Sequence, residues 1–571
     1  MGTTTADRSN DPSAAPRRPT IRDAFASRKS FAMLCLGASA GLPIMLVYQV
    51  LSIWLRESDI SRSTIGFLVW VGFAYSLKFL WAPLVDRTRI PGFSDLLGNR
   101  RGWTLFAILG TALAMWSMSV QDPTQDLAGV VVSAVLIAFA SATLDICVDA
   151  WRVDSGLNAE QASLSAIYQL GYRFGMIAAV SGGLFVAEKA GFGTAYLLLG
   201  LLAAAGASTP LWAPQTATEL AAEAHLKEPN PIIAVAKGLA TLGAVASFIW
   251  FGMQEGGYLR LAGAYVGNGF DALLSPLSEE DRRILGAIFL VFILSLPFLG
   301  TLYFLTKGRA SLSAEATYAV PILGDLADVV RRLGWMALIA FAIVATYRIS
   351  DTTMGVMAGP LYVDLGYTKD VIGAIKGLWG ITMLIVGAFL GGWWATRFGL
   401  ANSMIAGAVI TISTNLTFAW LSSQAVPADE PFLFNFEFGW FGLHLKLSTL
   451  KLAAVIGVDN IAAGFAGGVF IAFMSVITNK SFSASQYALF SSLYAFYGKT
   501  LAGFSGVLAD QVGYESFFVA TALFGVPALL FVIYTWLSGF TDNITETAER
   551  GDKDVAIAPP PAAPPTEAAR G

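Results

Sequence analysis

The stretch Leu127–Asp154, LAGVVVSAVLIAFASATLDICVDAWRVD, most constrains what this chain can fold into. It opens with about 18 uncharged residues, enough for most of a bilayer crossing, and then sets Asp145 and Asp149 in the same apolar surroundings before Arg152 and Asp154 close it. Carboxylates four residues apart share one helix face. A charge at that depth costs roughly 3 kcal/mol unless it meets protein, a cation or a water-filled cavity. Both acids are therefore functional candidates, and the other spans must supply their partners.

The rest of the chain is of the same kind. Of its 571 residues 55% are hydrophobic and only 13% charged, and the mean hydropathy is +0.62, far from a soluble globular composition. These values predict an all-α polytopic membrane protein. A net charge of −4, with no basic groove interleaved with aromatics, excludes nucleic acid as a partner. Cys35 and Cys147 fall inside apolar runs, so neither a disulfide framework nor a metal site is expected, and nothing calls for a cofactor. Both histidines, His225 and His444, lie in loops. Proton coupling inside the membrane would then rest on carboxylates.

Hydropathy divides the chain into a disordered cytoplasmic arm (1–30), a six-helix bundle (31–213), a linker with an inserted helical hairpin (214–334), a second six-helix bundle (335–538) and a disordered tail (539–571). The hairpin's arms are expected near 232–251 and 284–305. Six plus two plus six gives about fourteen spans, the pattern of a major facilitator fold with two parallel halves. Arg87, Arg89, Arg100 and Arg101 crowd the short loop after the second span, which places that loop and both termini in the cytoplasm. Residues 432–447, FLFNFEFGWFGLHLKL, alternate with period two around Gly439 and Gly442, which predicts a small outer β-hairpin, an interfacial anchor or a lid.

Charges recur inside the other spans. Counting about 1.5 Å per residue, Lys78, Asp145 and Arg173 fall in the inner half of the first bundle, where they are expected to form one polar cluster with Tyr168, Gln169 and Tyr172 nearby. Asp351, Lys376, Asp459 and Lys499 fall in the outer half of the second, with Arg348 one turn from Asp351. Acids paired with bases in opposite bundles suit alternating access, since protonating a carboxylate frees its basic partner to hold an anion. Asp145, Asp149, Asp351 and Asp459 are the candidate proton carriers. Asp86, Arg87, Arg100, Arg101 and Arg152 form a candidate inner gate, a charge lock for the outward-facing state.

Several segments resemble the AmpG muropeptide permeases of the major facilitator superfamily: GLPIMLVYQVLSIWL (41–55), TIGFLVWVGFAYSLKFLWAPLVDR (64–87), GNRRGW (98–103), SATLDICVDAWRVD (141–154), YQLGYRFGM (168–176), KGLWGITMLIVGAFLGGWWATRFGL (376–400) and NKSFSASQYALFSSL (479–493). The resemblance implies a proton-coupled importer in a bacterial inner membrane, carrying anhydromuropeptides from periplasm to cytoplasm for cell-wall recycling, and a monomer is expected. Lys78, Asp86, Arg87, Asp145, Asp149, Arg152, Tyr172, Arg173, Lys376 and Asn415 stand where the family has the same or similar polar residues. Leu144 replaces an expected glutamine, Lys499 an expected arginine, and the outer hairpin and long tail look additional. A large anionic glycopeptide calls for basic residues such as Lys78, Arg173 and Lys499, and for aromatic faces such as Trp54, Tyr75, Tyr172 or Trp379. The alternatives are a carrier of another anionic solute, such as an acyl-CoA or small peptide, or a membrane sensor without transport. With no histidine in a span and no nucleophile elbow, no enzyme is expected.

Overall fold

The computed structural model describes residues 27–78, 81–155, 161–215, 231–253, 329–424, 426–427, 429–438, 441–478 and 483–540. Residues 27–215 and 329–540 are called here the first and second halves. Among the described residues eight helices are long and apolar enough to cross a membrane, including Arg28–Glu57, Leu127–Arg152, Lys369–Phe398 and Leu447–Ile477. The segment Ile167–Trp212 turns back at Gly191, whose φ of 83° is open to glycine, so it holds two crossings. Other crossings are broken into shorter pieces, Arg62–Leu68 through Ala82–Arg87 in the first half and Met336–Thr346 with Ile349–Asp364 in the second. The count of fourteen stays an expectation, and the second arm of the inserted hairpin, 284–305, lies outside the described residues.

Lipid tails solvate leucine as well as another helix does, so close backbone packing has to hold the spans together. The spacing Gly37–Gly41 on the first helix meets Gly171–Gly175 on Gln161–Ile177. A Cβ on Gly41 would sit 2.1 Å from the Tyr172 carbonyl oxygen, and one on Gly171 2.1 Å from that of Leu34. The second half repeats the device with Gly387 and Gly464, whose Cβ atoms would fall 2.1 Å from the carbonyls of Ile461 and Leu384. These contacts align the helices that carry Tyr172, Lys376 and Asp459.

The inserted helix Pro231–Met253 docks on the arginine-rich loop. Thr241 donates to the Pro91 carbonyl at 3.3 Å, Lys237 reaches Asp95 at 4.0 Å, and Gly92, at φ 84°, leaves no room for a Cβ beside Gly238. The β-hairpin is present as Phe432–Phe438 paired antiparallel with Phe441–Lys446. Glu430 fixes its exit by accepting from the Ser448 backbone N–H at 2.8 Å. Phe432, Leu433 and Phe434 are exposed, and Lys446 stands 5.5 Å over the Phe432 ring.

A direct check follows from the glycine seams. Gly41→Val should lower the melting temperature of the purified protein by several degrees or abolish monodisperse material, because its branched side chain meets backbone that cannot yield. Gly392→Ala, with open space around the position, should leave melting unchanged.

Candidate functional site

The two acids of Leu127–Ser155 share one cation. Lys78 Nζ lies 3.7 Å from Asp145 and 3.8 Å from Asp149, and Arg152 reaches Asp149 from one turn further on at 3.4 Å. The i,i+4 spacing aims both carboxylates at the second span, where Lys78 directly follows the short helix Phe73–Leu77. Asp145 is nearly enclosed and its Oδ1 has no hydrogen-bond partner. Around it lie the buried hydroxyls of Tyr75 and Ser141. Arg173 does not complete this cluster: its Nη1 lies 3.6 Å from Met176 Sδ, and it pairs with no acid among the described residues.

The second half holds a parallel set. Arg348 binds Asp351 at 2.7 Å and the Ala463 carbonyl at 2.9 Å. Lys376 and Asp459 act on each other electrostatically without closing an ion pair. Lys499 departs from the expected outer level, because it crosses to the first half. Its Nζ donates to the Gly72 carbonyl at 2.5 Å and to Ser76 Oγ at 3.0 Å, close to Lys78 in the chain. Acids and bases therefore pair within each half at depth.

Between the halves lies a cavity of about 480 Å³, within the roughly 300–1,000 Å³ of small-molecule sites. Tyr48, Gln49 and Ser52 line it from the first helix, Leu68 and Val69 from the second, and Thr352, Val356, Tyr494 and Lys499 from the second half. Tyr48 Oη and Gln49 Nε2 are buried with no hydrogen-bond partner among the described residues, so polar capacity on the cavity wall is unspent there.

The halves are locked on one face, called outer because the arginine-rich loop is on the other. Asp364 accepts from Arg56 at 2.5 Å, Arg62 at 3.1 Å and Tyr514 Oη at 2.7 Å. Lys369 ties Glu57 at 2.8 Å and Glu188 at 3.8 Å, and Arg62 also faces Asp510 at 3.8 Å. Backbones close the seam between the charges: a Cβ on Gly506 would fall 1.8 Å from the Arg62 carbonyl oxygen. On the second seam Ser181 donates to the Gly373 carbonyl at 2.8 Å, π-helical turn against π-helical turn.

No family model matches the chain. It is 25% identical over 514 residues to a Rickettsia felis protein named as an AmpG transporter, covering 90% of this chain and 98% of that one. It is 27% identical to the anhydromuropeptide permease of Escherichia coli K12, covering 89% and 80%. Among solved structures, a POT family transporter in complex with 5-aminolevulinic acid superposes with TM-score 0.57 at 11% identity, over 92% of this chain and 98% of that one. The nucleoside transporter NupG gives 0.51 at 11% identity, over 89% and 99%. The chain has the major facilitator fold and resembles the AmpG permeases.

In that fold the conformation here is one closed at the face opposite the arginine-rich loop. The residues expected to form the inner gate bind inside the first half: Arg100 pairs with Asp154 at 3.0 Å and Arg101 donates to the Ala213 carbonyl at 3.2 Å, while Arg152 holds Asp149. The side chains of Asp86 and Arg87 lie outside what is described. Two other candidates move away from substrate. Trp54 is buried and stacks on Phe192 at 5.4 Å, and Asn415 is fully enclosed, donating to Ser350 Oγ at 2.8 Å. Gln169 is exposed beside Leu170, off the cavity wall. The outer lock is absent from the sequence reading because its charges look like ordinary loop residues, and Arg56 and Asp364 lie 308 positions apart.

Two outcomes test this geometry. Lys78→Met strands two acids, so it should lower melting more than Lys78→Met combined with Asp145→Asn; equal losses would disconnect the pair. Asp364→Asn removes the shared acceptor of Arg56, Arg62 and Tyr514, and should raise labelling of a cysteine placed at Ser52 on the cavity wall by an impermeant thiol reagent severalfold from the outer side.

Proposed function

We propose that the chain imports anhydromuropeptides across a bacterial inner membrane by alternating access, coupled to proton entry, with both termini in the cytoplasm. The observation that carries the reading is the Lys78–Asp145–Asp149 cluster, placed in the second and fourth spans of a two-half transporter fold beside a cavity that both halves line. Beside these ion pairs Asp145 Oδ1, Tyr48 Oη and Gln49 Nε2 are buried with no hydrogen-bond partner among the described residues, capacity that a solute or water can use. The muropeptide assignment rests on the likeness to AmpG along nine-tenths of the chain.

Asp145 and Asp149 are the proposed proton carriers of the first half, and Asp351 and Asp459 those of the second. Protonating Asp145 releases Lys78 from one of its two acids and changes the charge of the cluster by one, which makes the cavity more favourable to an anion. The outer lock of Arg56, Arg62, Asp364 and Lys369 closes behind the solute, and the arginine-rich inner loop supplies the opposing lock when the halves rock the other way. A stem peptide and disaccharide exceed the present cavity, so the solute occupies a wider state of the same site.

Proteoliposomes with an acidic exterior should take up labelled anhydromuropeptide and carry protons with it. Asp145→Asn should reduce proton-driven uptake at least about tenfold, in line with losing an ionisable group from a coupled site, while leaving counterflow of preloaded solute. Uptake indifferent to the proton gradient, or to both Asp145→Asn and Asp149→Asn, would reject these carriers. Faster uptake of an acyl-CoA or a small peptide would reassign the solute.

A further inference from the structure

Lys499 is one of three cations buried in the spans, with Arg173 and Lys376, that close no ion pair among the described residues, and it alone of the three hydrogen-bonds to the opposite half there. Lys78 and Arg348 each hold carboxylates, whereas Lys499 has no acid within ion-pair distance among the described residues and binds two neutral oxygens, Gly72 O and Ser76 Oγ. Those oxygens belong to the first half and Lys499 to the second, so its ammonium is a tie between halves. The same side chain lines the cavity, where Tyr48 Oη and Gln49 Nε2 stand unpartnered. Its Nζ also stands 5.5 Å from the centre of the Tyr75 ring. Three hydrogen-bond donors thus share one cavity with no carboxylate among its lining residues, which is the composition of a carboxylate receptor.

Local backbone makes the arrangement possible. Gly72 ends a 3₁₀ turn, Val69–Gly72, before the helix Phe73–Leu77 begins. A Cβ there would lie 1.4 Å from Tyr48 Oη, so only glycine lets the tyrosine pass beside the carbonyl that Lys499 uses. Ser76 is 3% exposed and is not on the cavity wall, so it serves the lysine rather than a solute.

We propose that Lys499 is the receptor for a carboxylate of the transported solute, and that its bonds to Gly72 and Ser76 compete with that carboxylate in the outward-closed state. This rests on the reading of the chain as a carrier of an anionic glycopeptide. When the outer seam opens, the helix bearing Gly72 and Ser76 draws away and the ammonium loses both acceptors. A lysine left bare in apolar surroundings is costly, and a solute carboxylate satisfies it with charge-assisted bonds. When the seam closes, the two oxygens return to Lys499 and displace the carboxylate, which unloads the solute toward the opposite side and secures the seam behind it. Lysine suits this exchange because its three donors rotate freely on a flexible stem, where arginine would hold a fixed fork. The solute thereby has different affinities for the two states, as any ligand that drives a conformational cycle must.

Two measurements in proteoliposomes test it, on a chain in which Cys35 and Cys147 are alanine. The first needs no solute: spin labels at Lys189 and Gln511, exposed on the outer side of opposite halves, report the seam by their distance distribution. Lys499→Met and Ser76→Ala should each raise the long-distance fraction, by about fivefold for the loss of one or two such bonds. Distributions identical to the native chain in both variants would overturn the tie. The second compares an anhydromuropeptide carrying free carboxylates with the same molecule fully amidated. The native chain should bind the acid tighter than the amide, Lys499→Met should erase that ratio, and Ser76→Ala should raise affinity for the acid about fivefold by removing a competitor. A ratio unchanged in Lys499→Met would overturn the receptor. If the native chain binds neither form, the muropeptide assignment falls and the receptor with it, while the tie is still decided by the distances.

Discussion

Charge held in hydrocarbon is the constraint on which the rest of this protein depends. Among apolar helices Lys78 stands between Asp145 and Asp149, so each offsets the cost of holding the other's charge there. The cost of an unpaired partner forces the second and fourth spans of the first half into a fixed relation, and Arg348 with Asp351 and Ala463 does the same in the second half. Each half is thus stiffened from within. Motion is left to the interface between them, where the cavity lies.

That interface has two kinds of fastening with different physics. At the outer face the fastening is ionic: Asp364 serves two arginines and a tyrosine, and Lys369 serves two glutamates. These side chains are about a fifth to a third exposed, so each pair contributes modestly and can break at little cost. At depth the fastening is by hydrogen bonds to neutral oxygens: Lys499 on Gly72 and Ser76, Trp70 Nε1 on the Thr500 carbonyl and Ser181 on the Gly373 carbonyl. Glycines let the backbones approach at both levels, which makes the closed state dense without making it permanent. An interface of weak ionic contacts over close backbone packing is what a molecule that must open repeatedly requires.

The sequence reading found the charges in the spans, since their departure from an apolar background is local. It did not find their geometry. Depth groups Arg173 with Lys78, but the structure sets its guanidinium beside Met176, one turn further along the same helix. Trp54 and Asn415 were offered to a substrate and are enclosed instead, one on Phe192 and one on Ser350. Depth is counted along one helix, whereas facing depends on which neighbour covers it, and apolar residues on every side of a span hide that from periodicity. The β-hairpin was legible because its period of two stands alone between helices.

Composition and the run from Leu127 by themselves determined that this chain is a multi-pass helical membrane protein with acids inside it, because no other solvent satisfies such a sequence. Only the tertiary structure decided that Arg56 meets Asp364, that Lys369 joins Glu57 to Glu188, and that Lys499 leaves its own half for Gly72 and Ser76. These partners come from residues hundreds of positions apart, and their meeting depends on how two halves dock, which no local pattern records. Burial energies act on each residue alone and can be read in order along a chain; pairing energies act on distances that exist only after folding.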